Sequence, residues 1–395
     1  MKYDFGKIID RRNTNALKYD IIERCGLSKD TIPMWVADTD FAAPPQILEA
    51  LHNAVSHGVF GYSEPKSSYF ETLKMWLNRR YNLVIQREWL VHCPGIVFAI
   101  TMAIRAYTKE GDGVLIQQPV YYPFRSMVVS NKRKLIVNSL VSNKTTGKYE
   151  VDFGDLEQKI IKYKPKLFVL CSPHNPVGRV WTTDELRRMG ELCLRHNVIV
   201  LSDEIHADLT LTGKHTIYGS ISKELSDNCI IATAPSKTFN IAGLQFSDIL
   251  ISNPRLRAAF VSQINASGYS QLNTLGIVAA EAAYTHGEPW LDEQLAYLRG
   301  NAELIESFVS DRLPKVRYTR PEATYLAWLD FGAYGMSQTE LEDLITNKAQ
   351  LYLSSGTIFG KEGEGFMRLN FGCSRVLLTA ALDRLAKAMD GAVNI

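Results

Sequence analysis

The chain has 395 residues, 46% hydrophobic and 22% charged, with a formal net charge of +2. That length predicts a large core split over two domains. The two signs of charge are interspersed without a basic tract or acidic tail, which argues against nucleic acid or another polyanion as partner. No apolar run approaches the roughly 20 residues of a bilayer-spanning helix, so no membrane contact is expected. Residues 1–20 are polar and charged, so no secretory signal is expected either. Six scattered cysteines without a CxxC pair predict reduced thiols in an intracellular, cytoplasmic protein. The eight histidines show no metal-ligand spacing, and no metal is expected.

In chain order, residues 93–112 ("CPGIVFAITMAIRAYTKEGD") place Pro94-Gly95 before an apolar helical stretch. Short apolar runs follow at 113–119 ("GVLIQQP") and 166–172 ("KLFVLCS"), each ending in turn residues. Residues 182–197 have helical periodicity, with Leu186, Met189, Leu192 and Cys193 on one face. Thr182 stands three residues before Glu185, a capping-box spacing. Apolar, β-branched runs return at 198–204 ("VIVLSDE") and 229–237 ("CIIATAPSK"). Strands separated by helices predict βαβ units, hence an α/β fold with a mostly parallel sheet covered on both faces. The last third reads as a smaller α+β unit beginning near "HGEPW" (286–290). It has a helix in "AELIESFVSDRL", a strand in "ATYLAWLDF", a helix in "LEDLITNKAQ" and a strand in "FMRLNFG". The expected division is a segment 1–43 packing with the small domain or a partner subunit, a large domain 44–285, and a small domain 286–395.

Ligands in such sheets bind beyond the carboxyl ends of the strands. Asn175 follows one predicted strand, Asp203 ends the next and Lys237 ends a third, so the three should meet in one crevice. A lysine flanked by apolar residues has a lowered pKa and can form an imine with a carbonyl. A carboxylate nearby can keep a pyridine nitrogen protonated, and an asparagine amide can donate to a phenolate oxygen. Together these are what pyridoxal phosphate (PLP) requires. The free N–H groups opening the helix after Pro94-Gly95 suit a phosphate, which assigns Gly95, Ile96 and Val97 to it, with the Ser236 hydroxyl. Tyr121 in "PVYYPF" (119–124) offers a ring to stack on. Each signal alone has an ordinary structural explanation. "DEIHAD" (203–208) could be a charged strand end or a metal cluster, and lacks the Cys or His partners for metal.

The series "PVYYPF", "SPHNPVG", "SDEIHADL", "APSKTFNIAGLQ" and "FMRLNFG" resembles a fold-type I PLP enzyme of the class I/II aminotransferase superfamily. More narrowly, it resembles the MalY/PatB group of cystathionine β-lyases, through "DRRNTNALKYD" (10–20), "MWVADTDFAAPP" (34–45), "FGYSEP" (60–65) and His206. The resemblance spans about residues 10–375. It implies a mostly parallel seven-stranded sheet between helices, with the smaller α+β domain beside it.

It also implies that Lys237 binds the cofactor and shuttles protons, that Asp203 pairs with the pyridine nitrogen, and that Asn175 pairs with the ring oxygen. His206 would lie by the ring, Tyr121 would stack on it, and Arg368 would clamp the substrate carboxylate, with Asn175 also at the substrate. Tyr62 would reach the phosphate of the neighbouring subunit in a homodimer. Tyr121 or Tyr122 would assist protonation. Many relatives carry an arginine where this chain has Gln245, which leaves the phosphate to Tyr62, Ser236 and the helix start. The implied reaction is α,β-elimination on cystathionine or cysteine, giving a thiol, pyruvate and ammonia. An aminotransferase acting on an amino acid and a 2-oxo acid is the alternative within the same chemistry. A regulatory partner of a transcription activator is the alternative of another kind.

Overall fold

The computed structural model describes residues 2–143 and 145–393. Its centre is a seven-stranded sheet: β1 (Leu90–Cys93), β2 (Gly113–Gln118), β3 (Lys134–Ser139), β4 (Leu167–Cys171), β5 (Ile199–Asp203), β6 (Cys229–Thr233) and β7 (Ser247–Leu250). The spatial order is β1-β7-β6-β5-β4-β2-β3. Strand β7 runs antiparallel to β1 and β6, and the remaining neighbours are parallel.

The continuous apolar runs follow from burial on both faces. Every residue of β2 and β4 is buried. Val114, Ile116, Leu167 and Val169 enter one core cluster, and Leu115, Phe168 and Leu170 enter another. A period of two thus sends alternate side chains to opposite layers. The helix Ile96–Tyr107 covers the first layer through Ala99, Ile100, Ala103 and Ile104. The helix Thr183–Arg195 covers the second through Leu186, Met189 and Leu192. Thr182 and Glu185 close the expected capping box at its start.

Lys237 departs from the sequence reading. Strand β6 ends at Thr233, and Lys237 lies in the turn at 235–240. Pro235 cannot donate to a ladder, so the chain leaves the sheet before the lysine.

The last third is built on a four-stranded antiparallel sheet of Arg317–Tyr318, Leu326–Asp330, Phe366–Asn370 and Ser354–Ser355, in that order. The helix expected over 302–313 is the end of a 25-residue helix, Glu288–Arg312. It follows the helix Thr274–His286 with only Gly287 between them. A Cβ on Gly287 would lie 2.5 Å from the Ala283 carbonyl oxygen and against the Phe239 ring, so glycine is what lets the joint close. The helix expected over 341–350 is α-helical at Gln338–Asp343 and widens into a π-turn at Leu344–Lys348.

The N-terminal segment pairs with this last third. Ile32–Pro33 lies parallel to Leu351–Tyr352, and the Asn370 N–H donates to the Met34 carbonyl at 2.9 Å. Residues 34–41 then run past the ends of both sheets as a strap.

Candidate active site

Beyond the carboxyl ends of β4, β5 and β6 lies a cavity of about 360 Å³. Strand register places Cys171, Asp203 and Ala232 side by side, and Cys171 and Asp203 line its floor. The turn after β4 adds Asn175, the turn after β6 adds Ser236 and Lys237, and the start of the 96–107 helix adds Gly95, Ile96 and Val97. Tyr121 and His206 complete the set, so nine of the expected site residues line one cavity. Three others do not. Arg368 stands behind Asn175, Tyr122 is 43% exposed beside the Tyr121 ring, and Tyr62 is 91% exposed and lines no part of this cavity.

Lys237 is partly buried, and its amine donates to the Ala37 carbonyl at 2.6 Å. Burial lowers its pKa; the Arg368 charge adds to this, while Asp38 and Asp203 oppose it. Asp203 is pushed up from the ordinary 3.8 to about 7, chiefly by burial, against a hydrogen bond from the Ile205 N–H. Among the described residues no cation pairs directly with it. His206 is driven down to about 3 by burial and then by Lys237 and Arg368, so its ring is neutral. Burial raises the Tyr121 hydroxyl to about 12, which keeps it protonated at neutral pH.

Arg368, on the strand Phe366–Asn370, is buried over the Phe359 ring at 4.7 Å. Its guanidinium donates to Asn175 Oδ1 at 3.0 Å, to the Trp35 carbonyl at 2.6 Å and to Ser354 Oγ at 3.2 Å. No described carboxylate pairs with it, and its buried Nε–H has no partner. An arginine held by neutral acceptors with a donor to spare is suited to a substrate carboxylate. Its own pKa falls to about 10 through burial, with Tyr121, Tyr122 and Tyr325 opposing, so the charge persists at neutral pH.

These residues fit PLP by their own chemistry. The Asp203 carboxylate, buried without a cation, would be satisfied by a protonated ring nitrogen. The Ile96, Val97 and Phe98 N–H groups open a helix without intrahelical acceptors and would take phosphate oxygens. A Cβ on Gly95 would meet nothing within 4 Å, so the space before this helix start is open. Gln245 lines the cavity where an arginine would add charge, and Lys237 is the one lysine or arginine in the lining. A phosphate here would depend on N–H dipoles and hydroxyls.

Sequence reasoning missed the strap. Trp35 and Ala37 act through backbone carbonyls, which have no residue signature. Phe359 beneath Arg368, and Tyr325, whose hydroxyl donates to the Ala37 carbonyl at 2.9 Å, were also missed. An aromatic in an apolar run has no mark that separates support of a site from ordinary core.

Residues 29–385 match the family model described as aminotransferase class I and II. Cystathionine beta-lyase PatB of Bacillus subtilis (strain 168) is 44% identical over 387 residues, covering 98% of this chain and 100% of that protein. Protein MalY of Escherichia coli (strain K12) is 34% identical, covering 99% of this chain and 98% of that one. The crystal structure of cystalysin from Treponema denticola, which contains pyridoxal 5'-phosphate, superposes with a TM-score of 0.96 at 38% identity. It covers 99% of this chain and 100% of that one.

Proposed function

The chain belongs to the class I and II aminotransferase family, in its MalY/PatB group, and from this we propose that it is a PLP-dependent carbon–sulfur β-lyase. It converts cystathionine-type or cysteine-type amino acids and water into a thiol, pyruvate and ammonia. What supports this most is the meeting of Lys237, Asp203 and Asn175 in one buried cavity with Arg368 directly behind.

When bound, PLP supplies an electron sink that makes the substrate Cα–H acidic. The protein groups do the rest. Arg368 holds the substrate α-carboxylate with its spare donor, and Asn175, bonded to Arg368, fixes its approach. That grip aims the Cα–H at Lys237. Burial keeps a fraction of the Lys237 amine neutral, so it can take the proton as a general base. Asp203 would keep the ring nitrogen protonated, because an anion in that apolar floor needs a cation against it. The neutral His206 ring beside it adds no competing charge. The Tyr121 hydroxyl, protonated at neutral pH, can give a proton to the departing thiolate, and Tyr122 beside it is the second candidate donor.

The functional unit in this reading is a homodimer in which Tyr62 of each copy reaches the phosphate of the other. Its 91% exposure and absence from its own cavity support that placement. The six cysteines are all free, which supports a reducing, cytoplasmic setting. In this reading residues 44–285 form the cofactor-binding domain, 286–395 the small domain, and 1–43 a segment that packs with the small domain, a division that the pairing of Ile32–Pro33 with Leu351–Tyr352 supports.

Purified holoenzyme given cystathionine alone should release pyruvate and homocysteine in equal amounts over many turnovers. No pyruvate or homocysteine, with cystathionine consumption that stops at about one equivalent per site unless a 2-oxo acid is added, would instead identify an aminotransferase.

A further inference from the structure

The stretch 10–20 has no role in the chemistry described so far and 34–45 enters it only through the Trp35 and Ala37 carbonyls, yet the fold joins the two stretches through charge. Lys18 is 1% exposed, and its ammonium sits 2.9 Å from Asp40 Oδ2 and 3.7 Å from Asp38 Oδ1. Arg11 forks onto Asp38 at 2.8 and 3.1 Å and reaches Asp40 at 2.7 Å and the Thr39 carbonyl at 3.1 Å. Two cations and two carboxylates thus balance in a largely buried cluster. Burying ions costs about as much as their pairing returns, so such a cluster is a weak source of stability. What it does supply is a defined geometry.

That geometry continues into the site. Asn240, three residues after Lys237 in the same turn, donates to the Thr39 carbonyl at 2.9 Å and the Phe41 carbonyl at 2.8 Å. It also accepts from the Thr39 N–H at 3.3 Å. On the other side, Asn370, two residues after Arg368, donates to the Val36 carbonyl at 2.5 Å and the Asp38 carbonyl at 2.6 Å. Between these anchors the strap offers the Ala37 carbonyl to Lys237 and the Trp35 carbonyl to Arg368.

We propose that Arg11, Lys18, Asp38 and Asp40 are positioning residues for the reaction, fixing the strap so that its carbonyls orient the Lys237 amine and the Arg368 guanidinium. This rests on the roles given above to Lys237 and Arg368. The charged or titratable groups facing Lys237 are Asp38 from the strap, Asp203 from β5, Arg368 from the small sheet and His206 after β5.

The test uses holoenzyme carrying Arg11→Gln, Asp38→Asn or Arg11→Lys, with kcat expressed per bound cofactor. Arg11 and Asp38 are only 21% and 19% exposed at the side chain but are milder sites than the Lys18–Asp40 pair. Arg11→Gln and Asp38→Asn should each lower kcat per bound cofactor about tenfold, as expected for a reacting group misplaced by a fraction of an ångström. Asp38→Asn should also move the pH midpoint of the cofactor's visible band downward, because a negative charge facing Lys237 is gone. Arg11→Lys keeps the charge but loses the fork, and should give a smaller loss. Unchanged kcat per bound cofactor and an unmoved midpoint, with only a lower thermal midpoint, would overturn the proposal. If Arg11→Gln does not fold, Arg11→Lys decides: a kcat loss supports positioning and wild-type kcat overturns it. The midpoint reports on Lys237 whether the protein eliminates or transaminates, so failure of the lyase reading would leave this test intact.

Discussion

The two walls of the cavity are built by different means. On the large-sheet side, side chains do the work, and parallel register sets them: Asp203 is level with Cys171 and Ala232 because β5 lies between β4 and β6. On the opposite side, main-chain carbonyls of residues 35–37 meet Lys237 and Arg368, and a charge cluster holds them in place. The first wall tolerates little change of residue type. The second tolerates changes at Trp35 and Ala37 themselves but not at the residues that hold them.

Breaking the first wall should have the largest effect. Lys237→Ala removes the attachment amine and the base together. Turnover should fall by at least about a thousandfold, with loss of the cofactor's visible band, measured by pyruvate release and absorbance. Arg368→Lys is next. A point charge cannot reproduce a fork that meets Asn175, Trp35 and Ser354 together. A loss of about 10- to 100-fold in kcat/KM is expected, carried mainly by KM.

Asp203 separates charge from packing in the same wall. Its carboxyl titrates near 7 in the fold against an ordinary 3.8. A raised carboxyl pKa means that ionisation costs more in the fold than in the unfolded chain. The cofactor-free protein should therefore lose stability, on the order of a few kcal/mol, as pH rises from about 4 through 7. Asp203→Asn should flatten that dependence in thermal melts of the cofactor-free protein while weakening PLP binding. A wild-type melt that does not change over this range would mean that the carboxylate has a cation partner already.

Away from both walls, Gly287→Ala should cost about 1–3 kcal/mol by forcing the helix joint off Phe239. Thr182→Ala should cost about 1 kcal/mol by removing one half of a capping box. Denaturant melts measure both, and neither should alter kcat.

Legibility in the sequence followed the same division. Strands buried on both faces announce themselves as apolar runs, and Thr182 marks a helix start, so the large sheet and its crest could be read directly. Asp203 and Asn175 were legible because polar residues at the ends of apolar runs in a parallel sheet meet where ligands bind, whereas Arg368 was reached through the family resemblance. Lys237 was found although its strand ends four residues earlier, since the run continues into Ala234-Pro235 without a polar break. The long helix was under-read because residues 288–301 are marked by Pro289 and a mixed pattern, and its burial comes from tertiary packing. The strap's carbonyls left no trace. Only the charges that hold them, at Arg11, Lys18, Asp38 and Asp40, could have pointed there, and their pairing spans 20 or more residues.

The most direct test of the central claim is chemical. Holoenzyme reduced with sodium borohydride and digested should carry the phosphopyridoxyl group on the peptide containing Lys237, found by mass spectrometry. The same group on another lysine, or on none, would contradict the assignment of this cavity.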